Sequence, residues 1–179
     1  LNQTEEWKSL PFHYTLSIQC TAFCNPNIIQ KQQVFTSSLH HVLYSHRPYV
    51  QNHCIMIPQR HITTLSELTS QEILDKYHLI AKIDSMVHSH FGLSKVGVMT
   101  RIGCRAGQTC SHLHDHIIGY DPKTIQQWML NWAHEISHGS CLKSDPVAWE
   151  EHRIIWQQLL HSESSHTSGD DTSSPLILR

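Results

Sequence analysis

Several features are missing from this 179-residue chain, and each absence excludes something. There is no run of 18 apolar residues, so no helix spans a membrane. Neither sign of charge dominates: 13 Lys+Arg against 15 Asp+Glu leave −2, without an extended basic face for nucleic acid. Six cysteines at scattered spacings do not form a disulfide framework. The opening, LNQTEEWKSLPFHYTL, lacks the basic start and apolar stretch of a signal peptide. The expectation is a cytosolic, reduced protein. The opening also lacks Met, so the chain is read as a fragment, a processed form or one begun from an unusual start. No repeat occurs at a solenoid period. The apolar share, 39%, is a little below that of a typical globular chain, which leaves part of it unpacked. Histidine is what the chain has in excess. Seventeen outnumber the Lys+Arg total, so mild acid makes the chain strongly cationic.

Residues 1–32 show no clear periodicity, and Cys20 and Cys24 with Asn25-Pro26-Asn27 read as a turn or loop. Residues 33–45, rich in β-branched and aromatic side chains, predict two short strands. HCIMI at 53–57, closed by Pro58, predicts a buried strand. Thr69-Ser70-Gln71-Glu72 is a capping box, and the apolar period after it predicts a helix over 70–91 closed by Gly92. Strands are expected at 95–100 and 109–120, on either side of a turn bracketed by Gly103 and Gly107. Trp128, Trp132 and Ile136 predict a helix over 124–138, and Asp145-Pro146 opens another to about Leu160. From Ser162 the chain is Ser-rich, acidic and expected to be disordered. The organisation is therefore an N-terminal segment at 1–32, a domain at 33–120, a helical extension at 121–161 and a tail at 162–179.

One stretch carries chemistry: QTCSHLHDHII, residues 108–118. On a strand, His112, His114 and His116 would share one face about 6.6–6.8 Å apart, with Leu113, Asp115 and Ile117 on the other. Three imidazoles in a row are not easily all charged, because like charges repel. A neutral imidazole is a competent nucleophile, and its neighbours donate to an anion. Those parts suit attack on phosphorus. A histidine ladder that merely binds metal adventitiously uses the same spacing.

His112-Leu113-His114-Asp115-His116-Ile117-Ile118 resembles the signature of the histidine triad family. So do Ala106-Gly107-Gln108-Thr109 just before it and Asn52-His53-Cys54-Ile55-Met56-Ile57-Pro58-Gln59-Arg60-His61-Ile62 upstream. The resemblance covers about 33–120 in the right order. It implies an α+β fold, with an antiparallel sheet of about five strands, a long helix packed on it and two extra C-terminal helices. It implies a homodimer that joins sheets across the helix. His114 would be the nucleophile that takes a nucleoside monophosphate from an α-phosphorus. His116 would donate to the phosphate, and His112 would be oriented by His61. Gln108 and Thr109 would contact the phosphate and the leaving group. No cofactor is needed for that chemistry. Some family members carry an N-terminal C-x2-C that binds zinc with the matches of His61 and His112. Here the spacing is C-x3-C, and two loop thiols are the other reading.

Three positions depart from the family. Asp115 stands where an apolar residue is usual, so it either reaches solvent or has a partner. Arg101 replaces an Asn or Gln, and is either a contact to a polyphosphate or a solvated strand-end residue. Ser45 stands where a ribose-binding Asp or Asn is frequent. Cys104 and Cys110 read as small buried residues before redox switches. The expected function is that of a nucleotide hydrolase or transferase acting on a small-molecule substrate, a dinucleoside polyphosphate first. A nucleoside phosphoramidate hydrolase is the alternative within the class. A weakly catalytic nucleotide- or metal-binding interaction protein is the alternative outside it.

Overall fold

The computed structural model describes residues 20, 22–103, 106, 108, 110–121, 126, 129–130 and 145–162. In chain order these form α1 (Pro26–Gln32), β1 (Gln33–Thr36), β2 (His40–Tyr44), β3 (His53–Pro58), a 3-10 turn (Leu65–Glu67), α2 (Ser70–Phe91), β4 (Lys95–Thr100), β5 (Asp115–Tyr120) and α3 (Pro146–Ser162). The strands make one antiparallel sheet in the order β1-β2-β3-β5-β4, so the expected α+β architecture is observed. The expected helix over 124–138, with Trp128, Trp132 and Ile136, and the expected tail lie outside the described residues, apart from 126, 129, 130 and Ser162.

Period-two alternation divides the sheet into two faces. Val42, Tyr44, Cys54, Met56 and Ile117 face α2 and α3, where they meet Leu79, Ile83, Met86, Trp149 and Trp156. Leu43, Ile55 and Ile57 face the other way, against Phe23 and Ile29. Residues of β5 follow the same rule. Asp115 sits opposite Met56 and so points to the helices, whereas His116 sits opposite Ile55 and points away from them.

The capping box forms as read: the Thr69 hydroxyl accepts from Glu72 N–H, and the Glu72 carboxylate accepts from Thr69 N–H at 2.7 Å. Gly92 closes α2 in the left-handed conformation, φ 62°. Gly119 lets β5 approach α2, since a Cβ there would lie 2.9 Å from Val87 Cγ1.

Two expectations need correction. Asn25-Pro26-Asn27 is a helix start rather than a loop: the Asn25 side chain caps α1, with Pro26 in its first turn. The strand expected from 109 begins only at Asp115. Its ladder partners run out there, because the last pairs are Met56↔Asp115 and Thr100↔Asp115. Residues 112–114 therefore approach β5 as irregular chain, tied by a bond from Leu113 N–H to the Ile62 carbonyl.

Candidate active site

His114 is buried, and its Nδ1 donates to the His112 carbonyl at 2.8 Å. A carbonyl only accepts, so Nδ1 carries a proton, and in the neutral ring the lone pair is on Nε2. His116, one residue past the start of β5, shares the neighbourhood, with ring centroids 5.2 Å from those of His114. The edge of Phe23 closes on His114 at 5.2 Å. The three histidines are thus brought together, though only His116 lies on a strand.

Behind His116 is a circuit that the sequence reading missed. His53 Nε2 lies 2.9 Å from His116 Nδ1. Tyr49 N–H donates to His53 Nδ1 at 3.1 Å, and the Tyr49 ring stacks on His53 at 4.7 Å. Arg101 donates to the Tyr49 hydroxyl and, at 2.8 Å, meets His116 Nε2. Burial, reinforced by the Arg101 charge, drives His53 down to about 3. Burial first, then the His53 and Arg101 charges, lowers His116 well below its ordinary value, so both rings are neutral near pH 7. The sequence signal for His53 was its period-two register with Ile55 and Ile57, which places it on the face of His116.

Arg101 is 6% exposed, which removes the reading of a solvated strand-end residue. Gln108 is buried and accepts from Gly103 N–H at 2.6 Å, so its amide braces the loop that leads to the histidines. Thr109 lies outside the described residues. Ser45 is also buried. Its hydroxyl accepts from Arg47 N–H and its carbonyl from the Trp149 indole, so it is tied into the β2–β3 connection and α3.

His112 has a different setting. Its Nε2 donates to the Pro58 carbonyl at 2.9 Å, and the His61 ring meets its own edge-on at 4.9 Å. Its Nδ1 lone pair then faces the Cys24 sulfur at 3.5 Å and the Cys20 sulfur at 4.0 Å. His61 Nδ1 lies 3.2 Å from the same Cys24 sulfur. Ligand atoms of Cys20, Cys24, His61 and His112 all fall within 4.8 Å of one another. Two thiols and two imidazoles are the donor set tetrahedral zinc prefers. A His ligand whose far nitrogen donates to a backbone carbonyl is the usual outer support. The residues therefore fit the metal despite the C-x3-C spacing. Phe23 and Ile29, on either side of Cys24, pack against Leu43, Ile55 and Ile57 and hold that thiol at the sheet.

Asp115 has a partner on the opposite face: Lys76 Nζ of α2 lies 2.8 Å from one carboxylate oxygen, and the Thr100 hydroxyl donates to the other.

The HIT domain family matches residues 27–123. Over 99 residues the chain is 30% identical to a bis(5'-adenosyl)-triphosphatase of Dictyostelium discoideum, covering 55% of this chain and 66% of that one. Over 90 residues it is 29% identical to an asymmetrical bis(5'-nucleosyl)-tetraphosphatase of Schizosaccharomyces pombe, half of each chain. The chain thus spans from half to 66% of these relatives' lengths. A zinc-bound histidine triad family protein from Mycobacterium smegmatis has a similar fold, with a TM-score of 0.59 at 16% identity over 80% of this chain and 94% of that one.

Proposed function

Because the chain belongs to the HIT domain family, we propose that it is a nucleotide hydrolase that opens a phosphoanhydride at an α-phosphorus, with dinucleoside polyphosphates as its substrate class. The observation that carries the reading is the His114 hydrogen bond: the His112 carbonyl takes Nδ1–H, which leaves Nε2 as the nucleophilic nitrogen of the neutral ring, and the His116 ring lies 5.2 Å away. In the first step the Nε2 lone pair forms an N–P bond while the P–O bond to the leaving polyphosphate breaks, its electrons going to that oxygen. In the second, water forms a P–O bond, the N–P electrons return to Nε2, and one water proton balances the leaving phosphate. His116 and Arg101 supply donors to the non-bridging oxygens, where they stabilise developing charge. A buried guanidinium favours more anionic chains over a single-phosphate phosphoramidate.

The test is a turnover panel of dinucleoside tri- and tetraphosphates, nucleoside phosphoramidates and nucleotide sugars, with alkaline denaturing quench of a labelled substrate. A labelled nucleotidyl adduct on His114 and fastest turnover of the dinucleotides are expected. Tight nucleotide binding without turnover or adduct would instead make the protein a binding module.

We assign structural zinc to Cys20, Cys24, His61 and His112, which would tie the N-terminal segment to the strand end that carries the triad. Bound there, the ion supplies a fold constraint, and the phosphoryl chemistry stays with His114. Purified protein should contain about one zinc per chain, and Cys24→Ser should lose it with a fall in melting temperature of at least about 5 °C. Metal-free protein that melts unchanged would leave the cluster as two loop thiols beside two imidazoles.

A second copy of the chain is the proposed partner. β4 is an edge strand with Val98 exposed, and α2 turns Ile73, Leu74 and Tyr77 to solvent. Sedimentation equilibrium should return twice the chain mass; a single-chain mass would reject the dimer.

A further inference from the structure

The circuit behind His116 contains one donor too many. Arg101 has no acceptor, so at its 2.8 Å contact His116 Nε2 must accept. Tyr49 N–H also only donates, so His53 Nδ1 must accept. Each neutral imidazole carries one ring proton. With those two nitrogens accepting, the protons are left on His116 Nδ1 and His53 Nε2. These are the two nitrogens that face each other across 2.9 Å. Two N–H groups cannot share one hydrogen bond, and protonating either ring makes the count worse. The three contacts are therefore incompatible as hydrogen bonds, and one must yield. Tyr49 N–H belongs to the backbone and is fixed. The guanidinium bond is charge-assisted and stronger than one between neutral rings. The bond that yields is His53–His116.

We propose that Arg101 is a specificity-determining residue that acts as a latch on His116: an incoming phosphate takes the guanidinium, and its departure moves the His116 proton from Nδ1 to Nε2. The inference rests on reading the site as one for phosphate. Once Arg101 has turned to the anion, every donor in the circuit has an acceptor. Tyr49 N–H donates to His53 Nδ1, His53 Nε2–H donates to His116 Nδ1, and His116 Nε2–H donates to the same anion. No net proton is gained or lost, since the ring exchanges one through solvent. A polyphosphate thus creates the second donor by occupying the first. A neutral ligand cannot compete for the guanidinium and leaves His116 without a proton facing the substrate.

The experiment uses the full chain labelled with 15N-histidine, and long-range 1H–15N spectra that distinguish the two neutral tautomers. Inorganic tripolyphosphate is the probe. Without it, His116 should be protonated on Nδ1; at saturation, on Nε2. Arg101→Gln, whose amide oxygen accepts, should show the Nε2 tautomer in both conditions and bind tripolyphosphate roughly tenfold or more weakly, the scale of one lost charged hydrogen bond. The wild-type spectra decide the latch even if that variant does not fold. His116 protonated on Nε2 without anion, or on Nδ1 under saturating anion, would overturn it. A tautomer change with no turnover of any nucleotide defeats the hydrolase reading and leaves the latch standing. Turnover of dinucleoside polyphosphates with no tautomer change does the reverse.

Discussion

His114→Ala should lower kcat/KM for a dinucleoside polyphosphate by at least about three orders of magnitude, because removing a covalent nucleophile leaves only binding and transition-state polarisation. The ring projects from irregular chain before β5, where its Nδ1–H meets the neighbouring His112 carbonyl and the Phe23 edge packs on it. None of these contacts belongs to the sheet ladder or to the helix–sheet core, so the variant should keep the cooperative melt of the parent. His116 keeps its place on β5 opposite Ile55 and its contact with Arg101 in that variant, so the phosphate subsite should survive and tripolyphosphate should still bind. The pair of readouts separates chemistry from binding. A folded His114→Ala protein within about tenfold of the parent rate would defeat the mechanism.

The second large effect lies on the other side of the sheet. Lys76 and Asp115 are 7% and 3% exposed, with charges 2.8 Å apart. Lys76→Met removes the cation and leaves a carboxylate among apolar neighbours of α2 and the sheet. Breaking one side of a buried ion pair costs about 3–5 kcal/mol, which for a domain of this size lowers the melting temperature by roughly 10 °C. Lys76→Met with Asp115→Val puts an apolar residue where the family has one, and should recover most of the loss, since well-packed apolar pairs match buried ion pairs in stability. Urea unfolding of the parent, the single variant and the double variant measures both. A single variant within 1 kcal/mol of the parent would mean that the Thr100 hydroxyl alone satisfies Asp115. The same pair has a consequence for the site. Asp115 is the point where β5 joins both β3 and β4, and a one-residue slip there would turn His116 into the helical core.

Local sequence by itself determined the parts of this protein that depend on period and on neighbours a few residues away. The capping box at Thr69 and Glu72 is closed by bonds spanning three residues, so four letters suffice to place the start of α2. Period two put Val42 and Leu43, and Asp115 and His116, on opposite faces of the sheet. The His-x-His-x-His spacing marked the stretch whose imidazoles the fold gathers, because residues two apart stay near one another in any extended chain. Tertiary structure alone decided what stands opposite what. His53 lies 2.9 Å from His116 because β3 and β5 pair in one register, and no local pattern announces that register. Lys76 reaches Asp115 because α2 crosses that face of the sheet at one angle. Cys20, Cys24, His61 and His112 meet because Phe23 and Ile29 pack on the sheet face of Leu43, Ile55 and Ile57, so their ligand spacing exists in space and not along the chain. The strand expected from residue 109 stops short at Asp115 for the same reason: a strand lasts as long as its partners do, and those partners lie elsewhere in the sequence.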